Sequence, residues 1–118
     1  LFKKNDKGEK MFDLNQFQRE HKKWTDHNFP DAPAWQSFVG AVEELGELAH
    51  AFLKLTQGIR GAKEEHIAEM RDAIGDVIIY LSHFCNVHGF LLSKIIDETW
   101  TEVRKRDWKK YPGNGVEK

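Results

Sequence analysis

Residues 38–55 read Phe-Val-Gly-Ala-Val-Glu-Glu-Leu-Gly-Glu-Leu-Ala-His-Ala-Phe-Leu-Lys-Leu. Phe38, Val42, Leu45, Leu48, Phe52 and Leu55 recur every three or four positions, which lays them along one face of an α-helix and predicts that this face is core. Gly58 ends the pattern, and Asp31, with Pro33 in the first turn, is its expected start. Towards the N-terminus, Leu14, Phe17, His21 and Trp24 repeat at helical spacing after Asp13, a good N-cap, and stop near Asn28-Phe29-Pro30. Towards the C-terminus, the connector Gln57-Gly58-Ile59-Arg60-Gly61 leads into Ile67, Met70, Ile74, Val77, Ile78, Leu81 and Phe84, which mark a third helix closed by Gly89. A fourth runs from about Leu91 through Ile95, Ile96, Thr99 and Val103 towards Trp108, before Pro112-Gly113. No strand-like alternation competes. The expected fold is all-α, an antiparallel bundle of about four helices with the first packed across the other three.

The 118 residues suffice for one domain, and 40% hydrophobic content for a modest core. Residues 1–10 are polar and precede Met11, so they read as an N-terminal arm or remnant outside a single domain at 11–118. Eighteen Lys and Arg stand against 19 Asp and Glu, a net charge of -1, so no basic field draws in nucleic acid. No apolar run reaches the length of a membrane span, and the lone Cys85 is expected as a buried, inert thiol. Together these place the chain in the cytoplasm. So short a chain leaves apolar edges on its helices, and a homodimer or homotetramer is expected to complete the bundle.

Two acidic groups stand out: Glu43, Glu44 and Glu47 on the second helix, and Glu69, Asp72 and Asp76 on the third. At about 100° per residue, Glu44 borders the apolar face, Glu47 lies roughly 60° to one side, and Glu43 faces solvent. Glu69, Asp72, Asp76, Tyr80 and His83 fall within about 60° of one another, forming one acidic edge. Carboxylates stacked a turn apart repel, and where packing limits solvent they call for a counterion. Oxygen donors suit a hard divalent cation, Mg²⁺ first with Mn²⁺ as a possible substitute, and no cysteine or paired-histidine set suggests zinc.

Glu43-Glu44-Leu45-Gly46-Glu47-Leu48, followed by Asp72-Ala73-Ile74-Gly75-Asp76-Val77-Ile78-Ile79-Tyr80-Leu81, resembles the MazG-like nucleoside triphosphate pyrophosphohydrolases. The similarity spans roughly residues 12–115. That family's pattern is Glu-Glu-x-x-Glu, a spacer, then Glu-x-x-Asp. The resemblance implies a MazG-like bundle, Mg²⁺ held by Glu44, Glu47 and Asp76, and hydrolysis of an NTP or dNTP to the monophosphate and pyrophosphate. Ala73 stands where the family has Glu, so the fourth ligand falls to Asp72, one residue earlier, or to Glu69, a turn further away. Glu44 or Glu47 is the candidate base, and sequence does not choose between them.

A triphosphate beside so many carboxylates needs cations. Lys54 lies two turns after Glu47 on nearly the same face, and Arg106 and Lys109 belong to a segment, Arg106-Asp107-Trp108-Lys109-Lys110, that resembles the C-terminal segment of MazG-like proteins. Trp24 and Trp35 flank the turn before the acidic helix, where either could stack on a base. Asn86, ten residues beyond Asp76, matches a position where the family often has Asp or Asn, and is a candidate substrate contact. The six histidines read as surface or core-edge residues, and of these only His83 shares the acidic edge. Two other functions compete. Glu47-Leu48-Ala49-His50 is a Glu-x-x-His motif of di-iron bundles, but the third helix lacks the required second copy. A non-catalytic helical nucleotide-binding or interaction module with a decayed metal site is the alternative that Ala73 raises.

Overall fold

The structure, a computed structural model, describes residues 2–117. Helix α1, Leu14–Asn28, starts where Asp13 Oδ1 accepts from the backbone N–H of Asn15 and Gln16 at 3.0 and 3.1 Å. Helix α2 covers Trp35–Gln57, four residues short of its expected start, because Asp31 lies in a turn and Pro33 in irregular chain before the helix. Pro33 disfavours helical backbone at Ala32, whose N–H instead reaches Phe29 O at 3.2 Å. Gly58 and Gly89 close α2 and α3 (Lys63–His88) in the left-handed conformation, φ 69° and 70°. Helix α4, Leu92–Val103, stops short of Trp108. Beyond it, Asp107 Oδ1 accepts from Lys109 N and Lys110 N, and Asp107 N donates to Gly115 O at 2.7 Å, so the chain turns.

The N-terminal residues correct the helix-only expectation. Strands β1, Phe2–Lys4, and β2, Lys10–Phe12, pair antiparallel with Phe2 opposite Phe12. Asn5 shapes the turn, its Oδ1 accepting from Lys7 N and Glu9 N at 3.0 Å. The fold class is nonetheless all-α, four helices packed as a bundle. No helix among the described residues is long and apolar enough to cross a membrane.

Most of the packing joins α2 to α3 as an antiparallel hairpin. The buried residues on α2 are Ser37, Ala41 and Ala51, and on α3 His66, Ala73, Ser82 and Cys85. Burial also pushes the Cys85 thiol pKa up. The expected core face is corrected: Phe38, Val42, Leu45 and Phe52 are each more than half exposed, as is Ile74. Small side chains, not large ones, form the seam, and they let the two helices approach closely. A Cβ on Gly40 would lie 2.3 Å from Tyr80 Cε1, so only glycine lets the Tyr80 ring lie across α2.

Helix α1 packs on α3 through polar groups. His21 Nδ1 lies 3.0 Å from the fully buried Ser82 Oγ. Gln18 donates to Asn86 Oδ1 at 2.9 Å and to Phe90 O at 2.8 Å, and accepts from Leu92 N at 2.9 Å. With Ser93 Oγ donating to Asn15 Oδ1, these bonds fix α4 to α1.

Candidate active site at the carboxylate edge

Glu44 stands where α2 faces α3, and its surroundings mark it out. Its carboxyl pKa is raised, first by loss of hydration and then by the negative charges of Asp76, Glu43, Glu47 and Asp72. The expected ligands Glu44, Glu47, Asp72 and Asp76 therefore share one electrostatic field. Glu69 lies outside it, its Oε2 3.8 Å from His66 Nδ1 and its side chain open to solvent. Of the two candidates to replace the acid missing at Ala73, Asp72 is the one that acts on Glu44.

Among the described residues, no Lys or Arg forms an ion pair with any of these four carboxylates. Nor do three carboxylate, histidine or cysteine side chains there converge closely enough to chelate a metal ion. The donor chemistry fits a hard divalent cation, being all oxygen, mutually repelling and without a protein counter-charge. Glu47 and Asp72 are exposed, while Glu44 and Asp76 are half-buried.

Beside Glu44 and Asp76 opens a cavity of about 620 Å³, within the usual range for small-molecule sites. Trp24, Trp35, Tyr80, His21 and His83 give it aromatic walls. Trp24 is braced edge-on by Phe29, ring centroids 5.7 Å apart. The His21 and His83 rings meet edge to face at 6.1 Å. Burial, and then the neighbouring His83, lower the His21 pKa, so the ring is held neutral. Because Ser82 occupies Nδ1, the His21 ring has Nε2 left for a ligand.

The sequence-predicted residues divide. Trp24 and Trp35 line the cavity with Glu44 and Asp76, as does Glu43, which was expected to face solvent, whereas Glu47 and Asp72 do not line it. Lys54 does not, and its ammonium donates to Gln57 Oε1 at 3.0 Å. Asn86 is spent on the α1 to α4 junction, since its Nδ2 donates to Gln18 O at 3.2 Å while its Oδ1 accepts from Gln18. Arg106 and Lys109 belong to the C-terminal turns, away from the cavity walls. Sequence reasoning passed over His21. Its signal was the spacing His21-x-x-Trp24, which puts both rings on one face of α1. Tyr80 and His83, one and two turns past Asp76, were legible only as part of the acidic edge.

Compared with protein-family models, with characterised proteins and with solved structures, the chain matches none.

Proposed function

We propose that this protein is a Mg²⁺-dependent nucleotide pyrophosphohydrolase, cleaving an NTP or dNTP between the α- and β-phosphates to give the monophosphate and pyrophosphate. The observation that carries the reading is an aromatic-walled cavity sized for a small molecule, lined by Glu43, Glu44 and Asp76, with Glu47 and Asp72 adding their charge to the field on Glu44. Trp24 and Trp35 offer faces on which a base can stack, and neutral His21 offers a hydrogen bond through Nε2. Glu44, Glu47, Asp72 and Asp76 are the set that would hold the cation. When bound, Mg²⁺ supplies charge neutralisation at the phosphate oxygens. Glu44 is the better placed of the two glutamates to take a proton from the attacking water, because it lines the cavity and Glu47 does not.

A second reading is favoured by Ala73 and by the spread of the carboxylates: a nucleotide-binding module without turnover. One experiment separates the two. The protein is incubated with NTPs and dNTPs, with and without Mg²⁺, and monophosphate plus pyrophosphate are resolved from diphosphate plus orthophosphate. Mg²⁺-dependent monophosphate and pyrophosphate, lost in Glu47→Gln and reduced at least tenfold in Asp72→Asn, is the expected result. Thermal stabilisation by Mg²⁺ and nucleotide with no product across the panel selects the binding module.

A further inference from the structure

His21 lines the cavity although the residue is only 7% exposed. Its Nδ1 faces Ser82 Oγ at 3.0 Å. Ser82 is completely buried, and among the described residues its hydroxyl has no other hydrogen-bond partner. That decides which way the bond runs. A hydroxyl carries one proton, and were Nδ1 the donor, Ser82 would hold that proton buried with no acceptor in reach, the costly arrangement. Ser82 therefore donates to Nδ1. Since the His21 ring is neutral, its own proton sits on Nε2. Nε2 has no partner among the described residues and is not sealed from solvent, so the ring turns an N–H to the cavity. The other buried polar side chains in the wall, Thr25 and Ser37, spend their hydroxyl protons on Lys22 O and Ala34 O, each at 3.1 Å.

We infer that Ser82 holds His21 as the Nε2–H tautomer, and that this N–H selects nucleotides whose base carries an oxo group (uracil, thymine, guanine or hypoxanthine) over their amino counterparts. The inference rests on the nucleotide reading of the cavity. Position assigns His21 to the base rather than the phosphates. Ser82 lies six residues past Asp76 on α3, about 9 Å along the helix axis, a separation that a nucleoside spans between its phosphate and the far edge of its base. His21 also stands beside Trp24, ring centroids 6.2 Å apart, so a base lying on the Trp24 face has an edge within reach of His21. An oxo group on that edge accepts from Nε2–H. An amino group sets one donor against another and leaves both unpaired.

Two pairs of nucleotides isolate that single exchange: UTP against CTP, which differ at the pyrimidine 4-position, and ITP against ATP, which differ at the purine 6-position. Binding of their α,β-imido forms to the whole chain with Mg²⁺ is measured by calorimetry, and product release from the triphosphates is followed separately. The oxo member should bind about tenfold or more tightly in at least one pair. Preference for UTP alone assigns 4-oxopyrimidines, and for ITP alone 6-oxopurines. His21→Gln, whose amide both donates and accepts, should bring the ratio within about threefold. Ser82→Ala should narrow it too, while nitrogen NMR shows His21 moving from the Nε2–H form of the parent towards a mixture. Nδ1 protonated in the parent, equal binding within both pairs, or a preference that survives His21→Gln overturns the inference; if monophosphate and pyrophosphate are still released, the proposed reaction stands without it. Selective binding with no product supports the inference and removes the reaction. No binding of any of the four removes both.

Discussion

Gly40→Ala should destabilise the protein, against the usual effect of that change in a helix. In an open helical position, replacing Gly by Ala gains about 0.5–1 kcal/mol. At Gly40 the new methyl would lie 2.3 Å from Tyr80 Cε1 and 2.6 Å from Cδ1 and Cζ, where carbon contacts normally settle near 3.5–4.0 Å. The ring must therefore retreat by roughly 1 Å or more, either into the cavity or by parting α2 from α3. Overpacking of this kind costs about 1–3 kcal/mol. The net loss is about 0.5–2 kcal/mol, or roughly 2–8 °C in melting temperature for a domain of this size. Gly46→Ala is the control, since a Cβ there meets nothing within 4 Å in this chain, and it should melt above the parent by a few degrees. Calorimetry at one fixed protein concentration reads both. A Gly40→Ala protein that melts with Gly46→Ala, at or above the parent, would refute the close approach of Tyr80 to α2 and with it the shape assigned to the cavity.

Ser82→Ala removes the partner of a buried histidine nitrogen and should cost about 1–3 kcal/mol. It should also alter the His21 tautomer ratio seen by nitrogen NMR, and unchanged His21 shifts would rule the pairing out. Because the His21 pKa is lowered from its ordinary 6.5, the unfolded chain takes up a proton that the folded chain resists. The stability this represents is therefore present above about pH 6.5 and lost as pH falls through the folded value. Urea midpoints from pH 8 to 5 should decline in the parent and decline less in His21→Gln; equal slopes count against a buried neutral ring. Glu44 has the opposite sign, its raised pKa meaning that the contribution present below its ordinary range is lost as pH rises through the folded value. Without divalent cation, Glu44→Gln should thus melt above the parent at pH 7 and alongside it at pH 3.5, and it should lose the heat of Mg²⁺ binding seen by calorimetry.

The helices were legible because their punctuation is local: Asp13 caps, Gly58 and Gly89 terminate, and each acts through backbone groups within one turn of itself. The partner of each apolar face was not legible. Hydrophobic periodicity reports that Phe38, Val42, Leu45 and Phe52 must leave water, and says nothing of whether the covering surface belongs to the same chain. Sequence reasoning assigned that face to an internal core, whereas within the chain Ser37, Ala41 and Ala51 meet α3. Trp24 and Trp35 stood out because large aromatics flank the turn before the acidic helix, and both line the cavity. For Asn86 the sequence could not show that its amide bonds Gln18, 68 residues away, because an amide serves a junction between helices as readily as a ligand.

The seam itself explains the odd spacing of acids on α3. At about 100° per residue, Glu44 lies within roughly 60° of Ser37, Ala41, Leu48 and Ala51, so a carboxylate occupies the line along which α2 meets α3. It stays half-exposed because its neighbours there are small and the cavity opens beside it. Ala73 lies on the matching line of α3 and is 4% exposed. A glutamate at that position would enter the buried seam and lose its hydration near an acid whose pKa its acidic neighbours already raise. Asp72, about 100° further round the helix and exposed, adds its charge to the same field while keeping contact with water. On this account Ala73→Glu should lower the melting temperature without divalent cation, and Mg²⁺ should restore it. Loss of stability that Mg²⁺ leaves untouched would mean that the seam admits no fourth carboxylate and that Asp72 alone completes the set.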